Sequence, residues 1–127
     1  MLIDDNKIDN FFHERIIKKY DPSINVKPFS NAEAALEYLI SGVEIMPEII
    51  FLDINMPRMN GWEFLEEYKK MPMQSQRSMI VVMLTTSENP DDHARASTNG
   101  ILSAFKSKPL TIEMLEEAVD IYKNRYP

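Results

Sequence analysis

Short β-branched runs alternate along this chain with longer stretches whose apolar residues recur at helical spacing. Leu2-Ile3, Ile24 to Phe29, Ile49 to Leu52, Ile80 to Leu84 and Ile101 to Phe105 are the short runs. Among the longer stretches, Ile8, Phe12, Ile16 and Tyr20 recur every fourth residue. Ala32, Ala35, Leu36, Leu39, Ile40 and Val43 follow an i, i+3, i+4 pattern, and Ile112, Leu115, Val119 and Tyr122 do similarly. Such spacing predicts amphipathic helices, each with one buried stripe. Ser30 with Glu33, and Asn60 with Glu63, have capping-box spacing. Gly42 is placed to end the second helix. Asn89, Pro90 and Asp91-Asp92 read as cap, first-turn proline and acids matched to the helix dipole. Thr111 can cap the last helix, with Glu113 in its first turn.

Five strands alternating with five helices predict an α/β domain with a parallel sheet covered on both faces. Ile49 to Leu52 and Ile80 to Leu84 are apolar without alternation, as strands buried on both sides are. Ile24 to Pro28 alternates and carries a proline, which suits an edge strand. The fourth helix, Asp91 to Asn99, has alanines but no large apolar residue, so burial can contribute little to it. It reads as a frayed surface helix or as a mobile output element. Trp62 and Phe64 open the third helix and are read as core. The 9 methionines are also read as core filling, because Met79 and Met83 lie in a buried strand and Met56 and Met59 belong to the loop after Asp53.

Composition narrows the function. At 127 residues, with 44% hydrophobic and 27% charged positions, the chain is one ordinary domain. Without cysteine there is no disulfide scaffold, thiolate metal site or cysteine nucleophile. His13 and His93 are too few for a zinc site. A net charge of −6 argues against nucleic acid as a partner of this domain. No apolar run approaches the roughly 20 residues of a membrane span. With no signal peptide visible, a cytoplasmic location is the expectation.

Ligands of open parallel sheets bind beyond the carboxyl ends of the strands. There lie Asp4 and Asp5 after the first strand, Asp53 after the third, Thr85 after the fourth, and Lys108 with Pro109 after the fifth. Taken singly, Asp4-Asp5 is turn chemistry and Lys108 a surface lysine. Asp53 closes a four-residue apolar run, where a buried acid needs a partner. Crowded carboxylates repel, and magnesium, which prefers a few carboxylate oxygens and water, relieves this. The charges of three acids, one divalent cation and Lys108 cancel. A carboxylate is a competent nucleophile toward phosphorus. The residues themselves therefore suggest a magnesium-assisted phosphoryl acceptor.

The run Asp53-Ile54-Asn55-Met56-Pro57-Arg58-Met59-Asn60-Gly61 resembles the phospho-acceptor loop of response regulator receiver domains of two-component signalling. Ile3-Asp4-Asp5, Leu84-Thr85 and Lys108-Pro109 match the family's other signatures in the same order, so the resemblance spans essentially residues 1–127. It implies a flavodoxin-like fold with strand order 2-1-3-4-5. It implies phosphorylation of Asp53 by a histidine kinase or histidine phosphotransfer protein. It further implies Mg2+ held by Asp5, Asp53 and the backbone carbonyl of Asn55, with Asp4 acting through water. Thr85 and Lys108 would contact the phosphoryl group, and Phe105 takes the aromatic switch position. A downstream protein would bind the face made by helix four, strand five and helix five. The family often carries a cis bond at the position of Lys108-Pro109.

The chain departs from the family pattern in four places. Phe105 stands where tyrosine is common and lacks its hydroxyl. Thr86 is bulkier than the usual alanine or glycine and would slow loss of phosphate. The first strand looks short, and the stretch from Gly100 to Phe105 is one residue longer than expected.

The resulting expectation is a stand-alone phosphorelay receiver, or one domain of a longer chain, that assists its own phosphorylation and dephosphorylation but is not otherwise an enzyme. A phosphatase using the same rim would need an acid where Asn55 stands. Asp4-Asp5 would repel a flavin or nucleotide phosphate. A phosphate-independent interaction module on the same fold is the remaining alternative. His13 is read as a solvated helical histidine.

Overall fold

The structure is a computed structural model and describes residues 1–41, 46–72 and 79–127. Its strands are β1 (Leu2–Ile3), β2 (Pro28–Phe29), β3 (Ile49–Leu52), β4 (Ile80–Thr85) and β5 (Leu102–Ser107). Its helices are α1 (Lys7–Tyr20), α2 (Ala32–Ile40), α3 (Gly61–Lys69), α4 (Pro90–Thr98) and α5 (Ile112–Arg125). The strands form one parallel sheet in the order β2-β1-β3-β4-β5, as the resemblance implied.

Side-chain alternation in the central strands splits the core in two. Ile3, Ile50, Leu52, Val81 and Met83 pack with Ala35, Leu36 and Leu39 of α2 and Phe64 and Leu65 of α3. Leu2, Phe51, Ile80, Val82 and Leu84 pack on the other face with Ile17 of α1 and Leu115 and Ala118 of α5. β4 is buried along its whole length, as its unbroken apolar run predicts. Met79 and Met83 are core, and so are Trp62 and Phe64.

The edge strand β2 is shorter than the run Ile24 to Phe29 suggested, and only Pro28 and Phe29 pair with β1. Proline is tolerated at this outer edge, where its missing N–H has no neighbour to serve.

The helix caps follow the sequence, with one shift. Asn60 and Glu63 form a reciprocal capping box on α3. Asn89 caps α4 ahead of Pro90, and Thr111 caps α5. On α2 the cap is Asn31, which accepts from Ala34 N–H, rather than Ser30. Gly42 and Val43 lie outside the described residues.

α1 departs most from the expected stripe. Ile8 and Phe12 are 66% and 55% exposed, while Asn10, His13 and Ile17 face inward. Asn10 anchors this orientation: its Nδ2 donates to the Asp4 carbonyl at 2.9 Å and to the Phe29 carbonyl at 3.2 Å. A polar anchor, invisible to an apolar count, therefore sets the helix rotation. His13 is buried, not solvated, at 5% exposure. Burial and the positive charge of Lys108 push its pKa below the ordinary value.

The extra residue before Phe105 has a defined place. β4 and β5 slip register between Val81, which pairs with Leu102, and Val82, which pairs with Ala104. Ser103 is thus left over as a β-bulge. Downstream, pairing is regular through Thr85 and Ser107.

Candidate functional site

The carboxyl ends of β1 and β3 lie side by side, with Ile3 paired to Leu52. The next residue of each strand is an aspartate, Asp4 and Asp53. The Asp53 N–H donates to the Ile3 carbonyl at 3.0 Å, which locks this adjacency. Carboxylate oxygens of Asp4, Asp5 and Asp53 all lie within 4.8 Å of one another. Asp4 and Asp53 are buried, and Asp5 is exposed at the mouth.

Both buried acids are partly satisfied by local backbone. Asp53 Oδ1 accepts from Ile54 N–H at 2.8 Å, and Asp4 Oδ1 accepts from Asn6 N–H at 2.9 Å. Burial raises the Asp4 pKa, and the nearby Asp53 charge adds to the rise against hydrogen bonding from Lys108. A group so placed disfavours its own charge unless cations gather round it.

Lys108 is the cation present. Its ammonium reaches Asp4 Oδ2 at 2.5 Å, Asp9 Oδ2 at 2.8 Å and Asp53 Oδ2 at 3.4 Å. Burial alone would lower its pKa, but hydrogen bonds to Asp4 and Asp9 and the charge of Asp53 turn the net shift upward. Lys108 sits here because its N–H donates to the Thr85 carbonyl at 2.9 Å, just beyond the β4–β5 ladder. The Lys108-Pro109 bond is cis.

Thr85 is fully buried, and its Oγ1 accepts from Ser87 N–H at 3.2 Å. Thr86, next along, is exposed. Asn55 is exposed in the loop after β3. Phe105 is half-buried, its ring 4.7 Å from that of His93 on α4.

The acceptor loop closes back onto α3. Gly61 N–H donates to the Ile54 carbonyl at 2.8 Å. A Cβ at Gly61 would stand 2.4 Å from the Asp53 carbonyl oxygen, so no side chain fits. Arg58 turns the loop with φ of 66°, a conformation that strains a non-glycine residue.

Asp9 was missed in the sequence. It lies on α1 rather than at a strand end, and only the helix rotation brings it to Lys108. With it the acids number four, so the charge balance expected from three carboxylates leaves one negative charge over.

Residues 1–120 match the family described as Response regulator receiver domain. The chain belongs to this family. A two-component response regulator from Cytophaga hutchinsonii superposes with a TM-score of 0.89 at 32% identity, covering 97% of this chain and 94% of that one. The probable methanogenesis regulatory protein FilR2 of Methanothrix harundinacea is 29% identical over 97% of the receiver chain and 79% of FilR2. Hybrid signal transduction histidine kinase C of Dictyostelium discoideum is 30% identical over 91% of this receiver, which spans only 9% of that kinase. Receiver domains are signalling modules that bind Mg2+ at an acidic pocket, and the three-aspartate cluster here offers the hard oxygen donors this requires. Among the described residues no helix is long and apolar enough to cross a membrane.

Proposed function

We propose that residues 1–127 form a phosphorelay receiver in which Asp53 accepts a phosphoryl group from a histidine kinase or histidine phosphotransfer protein. One observation carries this reading: the buried Asp53 carboxylate clusters with buried Asp4, exposed Asp5 and the Lys108 ammonium. In the transfer, a carboxylate oxygen of Asp53 bonds to phosphorus as the donor's P–N bond breaks, and the electron pair returns to the imidazole. Asp5, Asp53 and the Asn55 backbone carbonyl would hold Mg2+, with Asp4 acting through water. The ion would supply positive charge for the phosphoryl oxygens.

Lys108 serves as a second cation for the same oxygens, and Thr85 donates its hydroxyl to one of them. Thr85 Oγ1 at present accepts from Ser87 N–H and retains its hydroxyl proton to give, so reaching the phosphoryl group requires this fully buried side chain to move toward the pocket. Phe105 follows that movement at the switch position. The altered face of α4, β5 and α5 then meets a downstream protein partner, within a cytoplasmic signalling pathway. The domain assists its own phosphorylation and dephosphorylation and catalyses nothing further.

Incubation with Mg2+ and acetyl phosphate, read by intact mass, tests the proposal. Wild type should gain one phosphoryl group and Asp53→Asn none. An adduct on both, or on neither, would favour a phosphate-independent interaction module.

A further inference from the structure

The pairing of Lys108 with a helical carboxylate carries an inference that rests on the proposed phosphoryl site and deepens it. Of the three carboxylates around the ammonium, Asp53 is the most distant, at 3.4 Å, while Asp9 stands at 2.8 Å. The ammonium has three protons to give, and no other cation is paired with these acids among the described residues.

Asp9 is held firmly. It lies in the first turn of α1, its N–H donates to the Asn6 cap at 3.2 Å, and the adjacent Asn10 pins the helix to Asp4 and Phe29. Its place in the first turn sets it against the positive end of the helix dipole. Asp9 is also outside the group of three acids whose oxygens cluster for a metal. Among the described residues, its one polar side-chain contact in the site is the lysine.

We propose that Asp9 is a positioning residue that keeps the Lys108 ammonium on the α1 side of the pocket, so that phosphoryl capture at Asp53 requires Lys108 to exchange Asp9 for a phosphoryl oxygen. Asp9 thereby sets how tightly the phosphoryl group is held. It competes with the phosphoryl oxygens for one cation, so its charge weakens their hold.

Trifluoroberyllate, which mimics the phosphoryl group on a carboxylate, provides the test in the presence of Mg2+. Calorimetric affinity and the 15N resonance of the Lys108 ammonium are measured in wild type, Asp9→Asn, Asp9→Glu and Asp53→Asn. Asp9→Asn should bind about three- to fivefold more tightly, a change typical of losing one partly exposed ion pair. Its unliganded Lys108 resonance should move toward the liganded position. Asp9→Glu restores the charge and should return both values toward wild type.

Unchanged or weaker binding by Asp9→Asn, with Asp53→Asn failing to bind, overturns the role of Asp9 and leaves the phosphoryl site standing. Equal binding by wild type and Asp53→Asn, or none by either, brings down both. Asp9 is part-exposed, so the substitution is expected to leave the fold intact. Circular dichroism of each variant checks this.

Discussion

Trp62 donates its indole N–H to Asp92 Oδ1 at 2.9 Å, joining α3 to α4. The other Asp92 oxygen accepts from the Ser87 hydroxyl at 2.5 Å, and Ser87 N–H in turn serves Thr85 Oγ1. The Arg95 guanidinium covers the Trp62 ring at 4.7 Å. α4 has no buried residue, so these polar and aromatic contacts, with His93 against Phe105, stand in for a buried face. Asp92→Asn should cost about 1 kcal/mol of stability. Amide exchange in Pro90–Thr98 should accelerate while exchange in α5 stays the same. Equal acceleration in both helices would show that Asp92 stabilises the whole domain instead.

Because Trp62 is the chain's only tryptophan, its fluorescence reports on this junction. If Thr85 gives up Ser87 on phosphorylation, the emission should change when Mg2+ and trifluoroberyllate are added. Thr85→Ala should remove most of that change while leaving adduct formation at Asp53 detectable.

Gly61→Ala should be far more damaging than an ordinary helix substitution. The new methyl group meets the backbone oxygen of Asp53, which cannot swing away as a side chain would. A loss of about 1–3 kcal/mol in urea unfolding is expected, with slower phosphorylation by acetyl phosphate.

Protonation of His13 opposes folding. Its folded pKa lies below the ordinary 6.5 because of burial and the Lys108 charge. Stability is therefore fully present above pH 6.5 and falls as the unfolded chain takes up its proton. The fall stops once pH passes the folded value. Between those limits wild type should lose up to about 1 kcal/mol per pH unit, and His13→Gln should flatten that part of the profile. Asp4 acts in the opposite sense. Its raised pKa gives stability that is present at low pH and lost as pH rises through its folded value.

Mg2+ should offset that loss. At ten times its dissociation constant a bound ion adds about 1.4 kcal/mol of stability. Chelation should reverse the gain, and Asp5→Asn should abolish most of it in thermal unfolding. Separately, the bulk of exposed Thr86, next to Thr85, predicts that Thr86→Ala shortens the phosphoryl half-life by a few-fold. An unchanged half-life would leave Thr86 without a role in access.

Most of the fold was legible because buried parallel strands are written as unbroken apolar runs. The strand-end residues Asp4, Asp5, Asp53, Thr85 and Lys108 follow from those runs. What the sequence hid was set by tertiary polar contacts. The rotation of α1 depends on Asn10 bonding two distant carbonyls, so the apolar count chose Ile8 and Phe12 for the core, Asp9 went unnoticed and His13 was read as solvated. The cap of α2 moved by one residue because Ser30 and Asn31 are both competent, and only backbone geometry separates them. Strand five extends past Phe105 to Ser107, since an edge strand can carry polar residues that no apolar run reveals.

The bulge at Ser103 sits at the opposite end of β5 from Lys108. A change in chain length is therefore spent where the strand enters the sheet, before the register that delivers the lysine is fixed. Loops feeding this strand can lengthen or shorten without detuning the pocket, so the route from α4 into β5 is open to remodelling in a way that the acceptor loop, closed against Gly61, is not.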